Sequence, residues 1–157
     1  MKSSRAFTLI ELVFIIVILG ILAAVAYPRI APLREDAEIA KGKGDVATIR
    51  AGIVNERQTW LIRGDASWIP NGTGTTANGR KMMDNGGLFG GVLSTPMSEG
   101  TSSGHWENPG TDGDGVYKYY VGSSANTFTY YDSTEANTSK RGQFLCTSGN
   151  ECLLLTN

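Results

Sequence analysis

Residues 7–28 read FTLIELVFIIVILGILAAVAYP. From Phe7 to Tyr27 these 21 residues carry a single charge, that of Glu11. Coiled at 1.5 Å per residue they span about 30 Å, the thickness of a bilayer's hydrocarbon core. Lys2 and Arg5 precede the run and no basic residue interrupts it. The positive-inside bias therefore keeps the N-terminus in the cytoplasm and carries residues 28–157 across the membrane. A carboxylate in such a segment costs about 2.5–3.5 kcal/mol near a helix centre and less near an end. Glu11 thus requires a partner or a different reading of the segment.

Two simpler readings leave the glutamate without a role. MKSSR forms the basic start of a secretory signal peptide, and Ala24-Val25-Ala26 offers a small-x-small cleavage site. That would release a soluble enzyme or binding domain beginning at Tyr27. A plain uncleaved anchor explains the length alone.

A third reading accounts for it. KSSRAFTLIELVFIIVILGILAAVAYP resembles the N-terminus of the type IV pilin and type II secretion pseudopilin superfamily. The shared pattern is a short basic leader ending in Gly or Ala, a Phe, a Glu four residues on, then apolar helix to a Pro. The resemblance implies that residues 1–6 are a leader, removed between Ala6 and Phe7 on the cytoplasmic side by a prepilin peptidase that also N-methylates Phe7. Residue 6 is Ala where Gly is commoner. It further implies that residues 7–27 are both membrane span and polymerisation segment, and that subunits pack closely between Gly20 and Pro28. Glu11 would pair with the Phe7 amine of a neighbouring subunit, favourably so in a low-dielectric bundle. The alternative role is a first-turn carboxylate that serves only its own helix end. The partners implied are other copies of the chain, related pilins, the peptidase, and an inner-membrane assembly platform driven by an ATPase. The location implied is the bacterial inner membrane, N-terminus inside and domain in the periplasm, then a pilus or pseudopilus.

Past Tyr27, Ile30, Leu33, Ala37, Ala40, Gly44, Ala47, Ala51, Val54 and Leu61 recur at helical spacing, with Val46, Ile49, Ile53 and Trp60 widening the stripe. One helix from Phe7 to about Leu61 is expected, kinked or opened at Pro28, Pro32 and the Gly42/Gly44 pair. Residues 64–115 are rich in glycine and read as loop. VYKYYV (116–121) and TFTYYD (127–132), joined by GSSAN, read as a β-hairpin with a five-residue turn. QFLC and CLLL are candidates for further strands, completing a sheet over 116–155. The fold class expected is α+β: a long N-terminal helix on a small antiparallel sheet, with residues 28–157 as the globular domain.

Residues 28–157 hold twelve Lys and Arg against fourteen Asp and Glu, which provides no field for nucleic acid. Cys146 and Cys152 are the two cysteines. In an exported domain they pair, closing a short loop for about 2 kcal/mol; the alternative is two reduced structural thiols. His105 is the sole histidine, and no GxSxG, HExxH, phosphate loop or CxxC is present. An enzyme is not expected, a carboxylate hydrolase drawing on Glu99, Glu107 and Asp112 being the runner-up. Asp112-Gly-Asp114-Gly resembles the start of a calcium loop but lacks a closing Glu and the Trp and Asp pattern of major pseudopilins. No cofactor is expected; calcium at Asp112 and Asp114 stands against a solvated turn. Glu135-Ala-Asn137-Thr-Ser139 fits the acidic sequon of bacterial N-glycosylation, and Asn71-Gly-Thr73 is a second sequon without the acid.

Overall fold

The computed structural model describes residues 7–72, 75–76, 79–83, 87–110 and 114–157, with the backbone alone at 28–32, 75–76 and 79–80. The chain divides into two compact units, Met1–Asp36 and Ala37–Asn157. Helix α1, Leu9–Ile62, supplies 54 residues to the two. Its backbone stays helical through Pro28 and Pro32, so of the kink or opening expected there the opening does not occur. The helix stops at a glycine. Gly64 takes φ +87°, its N–H donates to Leu61 O at 3.0 Å, and the Asp65 N–H donates to Trp60 O at 3.0 Å. Those two bonds satisfy carbonyls that the last turn leaves open, a closure that favours a residue without Cβ.

In the unit from Ala37 onward, α1 presents Gly42, Val46, Ile49, Ile53 and Trp60 to the core. This corrects the expected stripe, because Gly44, Ala47, Ala51, Val54 and Leu61 are exposed. Alanines fit either face of a helix, whereas Ile, Val and Trp gain most from burial, so the large residues set the rotation. Gly42 is no hinge. A Cβ there would lie 2.4 Å from Tyr119 Cε1 and 2.7 Å from Leu155 Cδ2, so the glycine lets helix and sheet approach.

Four strands form an antiparallel meander: β3 (Trp106–Glu107), β4 (Val116–Val121), β5 (Ser124–Tyr130) and β6 (Phe144–Ser148), in the order β3-β4-β5-β6. A separate pair, β1 (Thr75–Thr76) and β2 (Gly79–Arg80), lies in the glycine-rich stretch. Alternation directs Tyr117, Tyr119 and Val121 of β4 and Asn126, Phe128 and Tyr130 of β5 inward. The β4–β5 turn is two residues, since Val121 pairs Ser124. Gly122 at φ +56° occupies its first position, as such tight hairpins prefer. The five-residue turn expected from GSSAN is therefore too long: Ser124, Ala125 and Asn126 join the ladder. CLLL is not a strand. Cys152–Thr156 forms a short helix, α2, that buries Leu155 and leaves Leu153 and Leu154 exposed.

An aromatic cluster fills the space between helix and sheet. Phe89 lies 4.5 Å from Tyr117 and 5.6 Å from both Trp106 and Phe144, ring centre to ring centre, and Phe128 stacks on Phe144 at 5.2 Å. Phe89 holds φ +62°, a left-handed conformation costly for a bulky residue and here offset by complete burial of its ring.

Candidate functional site

Phe7 and Thr8 precede α1 in non-helical backbone. The Glu11 N–H donates to Thr8 Oγ1 at 3.3 Å, and the Leu12 N–H donates to Thr8 O at 3.2 Å. Thr8 is therefore the N-cap and Glu11 the third residue of the helix, the spacing of a capping box. The sequence carries the matching signal, Thr8-x-x-Glu11. Among the described residues the Glu11 carboxylate has no hydrogen-bond or ion-pair partner of its own. It lies in the first turn, where the helix's free N–H groups favour negative charge.

Every residue from Phe7 to Tyr27 is exposed, and Leu9–Tyr27 is long and apolar enough to cross a membrane. Its apolar side chains lie all round the helix, so water is not the medium it is built for. Among the described residues nothing lies within 4 Å of where a Cβ on Gly20 would stand, so none of them requires a glycine there. Ala6 and the side chain of Pro28 lie outside the described residues.

In the second unit the other candidate residues stand apart from one another. Cys146 and Cys152 are bonded, their Cα atoms 5.6 Å apart, tying β6 to the start of α2. Asp114 turns its carboxylate back on its own loop, with Oδ1 accepting the Val116 N–H at 3.0 Å and covering Gly110. Asp112 lies outside the described residues, among which no group of three His, Cys, Asp or Glu gathers as a metal site would need. His105 is exposed and pairs locally, its Nδ1 3.0 Å from Ser102 Oγ. A groove of about 320 Å³ lies beside it, lined by Lys41, Asp45, Met97, Ser98, His105 and Trp106. Its charges are already committed: Lys41 Nζ pairs Asp45 Oδ2 at 3.1 Å and donates to Gly104 O at 2.7 Å, and Trp106 Nε1 donates to the same Asp45 oxygen at 3.0 Å. Asn137 lies on an exposed turn between β5 and β6.

Sequence reasoning gave no notice of Glu38. Its carboxylate accepts the Ser103 hydroxyl and, at 3.0 Å, the Gly122 N–H, while its carbonyl accepts the Tyr119 hydroxyl at 2.6 Å. One residue of α1 thus fastens a loop, a hairpin turn and a core tyrosine.

A uniformly apolar, exposed N-terminal helix with one first-turn carboxylate, followed by a helix-packed four-stranded meander, is an α+β, pilin-like architecture. Residues 1–27 match the family model of the prokaryotic N-terminal methylation motif. The chain is also similar to the type II secretion system core protein G of Pseudomonas aeruginosa, 38% identical over 52 residues. That similarity covers 33% of this chain and 37% of the relative's length. No solved structure matches the chain significantly.

Proposed function

We propose that this chain is a prepilin whose processed form is a structural subunit of a filament of the pilin and pseudopilin kind. The observation that carries the reading is the methylation motif over residues 1–27 coinciding with an apolar helix that has no polar face. Cleavage between Ala6 and Phe7 creates a new ammonium four residues before Glu11. Both charges then lie at the end of a segment that passes from bilayer to filament core, where each would be expensive alone. Pairing the Phe7 amine of one subunit with Glu11 of the next sets their axial register, while Gly20 and the stretch to Pro28 allow close helix packing. The globular domain, residues 28–157, travels on the periplasmic side and coats the filament. The work is mechanical, and no catalytic role is assigned.

Of the two filament types, the relative's name favours a pseudopilus of type II secretion over a type IV pilus. The signal-peptide reading places a cut after Ala26, in the interior of α1, where the bond is held in helical backbone and poorly presented to a peptidase. Mass spectrometry of the N-terminal peptide from membrane or filament fractions tests the proposal. N-methylated Phe7 is the expected terminus; an unmethylated chain starting at Tyr27 in the soluble fraction would overturn it.

A further inference from the structure

The geometry points to Asn137 as an N-glycan acceptor, displayed ready for an oligosaccharyltransferase by the turn between β5 and β6. The chain holds two sequons, and the structure treats them oppositely. At Asn137 the side-chain Oδ1 accepts two hydrogen bonds, from the Ser139 N–H at 3.1 Å and the Ser139 hydroxyl at 2.7 Å. An atom receiving two donors must be the oxygen, which fixes the orientation of the carboxamide. Its Nδ2 has no partner among the described residues. Residues 136–140 are exposed throughout. Glu135, at the position where bacterial transferases require an acid, accepts the Asn137 N–H on Oε1 at 3.0 Å.

The feet of the turn are anchored to the body of the domain, whereas its tip bonds within the exposed turn, Asn137 O accepting the Lys140 N–H at 3.0 Å and Ser139 O accepting Gln143 Nε2 at 2.7 Å. Asp132 is buried and accepts the Thr134 N–H at 2.8 Å and the Asn71 N–H at 3.2 Å, and Arg141 Nε donates to Glu135 O at 2.7 Å. The tip between them carries no core side chain, so drawing it into a transferase groove costs little folded structure. Asn71 is the contrast. Its Nδ2 donates to Tyr130 O at 3.3 Å, and a Cβ on Gly115 would lie 2.5 Å from that nitrogen, so the atom that must react is enclosed. Thr73 of that sequon lies outside the described residues.

The transfer proceeds without redox change. Asn137 Nδ2 attacks C1 of the first sugar of a polyprenyl-diphosphate-linked oligosaccharide, forming a C–N bond. The C1–O bond to the diphosphate breaks, the lipid diphosphate leaves with the electron pair, and the amide nitrogen gives one of its two protons to a transferase base. The Ser139 hydroxyl serves by holding the carboxamide, so it is a positioning residue.

The test uses the purified full chain in detergent, disulfide intact, with a purified bacterial oligosaccharyltransferase and its lipid-linked oligosaccharide. This arrangement does not depend on export or on filament assembly, so it can fail independently of the proposed function. The expected result is one added glycan mass, mapped to Asn137 and absent from Asn71. Asn137→Gln, Ser139→Ala and Glu135→Gln should lose the shift and Ser139→Thr should keep it, all with unchanged circular dichroism. Two results overturn the proposal: an unmodified folded chain, whether or not a free peptide spanning Asp132–Arg141 is modified, or a glycan on Asn71 in place of Asn137.

Discussion

Two glycines two residues apart show how much one hydrogen atom in place of a methyl group decides. Gly42→Ala drives a Cβ against the rings and methyls of Tyr119 and Leu155, both buried in the core and the first tied to Glu38 O. Overpacking of this kind costs about 1–3 kcal/mol and outweighs the helix propensity that alanine adds. Gly44→Ala meets nothing within 4 Å among the described residues and should stabilise by up to about 1 kcal/mol. Urea unfolding of the two variants in detergent should give shifts of opposite sign; a shared sign would mean that α1 is rotated differently on the sheet. The core tyrosines give a pH dependence. Burial raises the phenol pKa of Tyr119, with Asp45 and Glu38 adding to the effect, and burial followed by the charge of Asp132 raises that of Tyr130. The folded chain then holds protons that the unfolded chain releases near pH 10, at about the ordinary tyrosine value. Their contribution is complete below that pH and is lost as pH rises toward the folded-state values. Tyr130→Phe should flatten the alkaline decline. It should cost little near neutrality, because the Tyr130 hydroxyl is buried without a partner among the described residues. An unchanged alkaline slope would remove Tyr130 from the account.

At the level of elements, what the sequence made readable depended on whether the signal was local. Strands β4 and β5 fall in runs of aromatic and β-branched residues, so their existence could be read directly, and so could the helical period of α1. The rotation of α1 could not, because small residues repeat on one face and large ones on another. Strand β3 is two residues long and exists through pairing with β4, Trp106 opposite Tyr119, a contact that no local pattern records. The length of the hairpin turn depended on Asn126, whose polar side chain argued for a loop. It is fully buried instead, because Glu151, 25 residues later, satisfies it: Asn126 Nδ2 donates to Glu151 Oε2 at 2.9 Å, and the Glu151 N–H donates to Asn126 Oδ1 at 3.1 Å. The same distant fixing makes α2 a helix, since a helix lets Leu155 reach the core directly after the cross-link to Cys146. Replacing both cysteines by serine should therefore cost about 2 kcal/mol and act locally. Hydrogen exchange should quicken over 144–156 and leave β4 unchanged. Uniform loss of protection across the sheet would show that the cross-link holds the whole domain.

For the whole molecule the central question is what covers the apolar surface of residues 7–27, which nothing among the described residues buries. The candidate answer was legible because it rested on residue types at fixed spacing: a Phe, a Glu four residues on, then a helix without a polar face. The place of Glu11 in the first turn, behind the Thr8 cap, sharpens it into a choice. If Glu11 serves only its own helix end, Glu11→Val removes a charge from hydrocarbon and should insert at least as well as wild type, with assembly unaffected. If its carboxylate meets the Phe7 amine of a neighbouring subunit, the same substitution leaves insertion and processing intact. It also strands a buried ammonium in every helix contact, a cost of several kcal/mol. Monomer should then accumulate in the membrane at normal levels, with Phe7 methylated, while filaments fail. Glu11→Gln refines the test, because an amide can accept a hydrogen bond from the ammonium but offers no charge, and assembly should recover only in part. Co-expression with wild type should admit the valine variant into mixed filaments at reduced frequency, since it still supplies a normal amine to one neighbour. Filaments of wild-type number and length built from Glu11→Val alone would leave Glu11 a first-turn carboxylate serving its own helix end and require another source for the register between subunits.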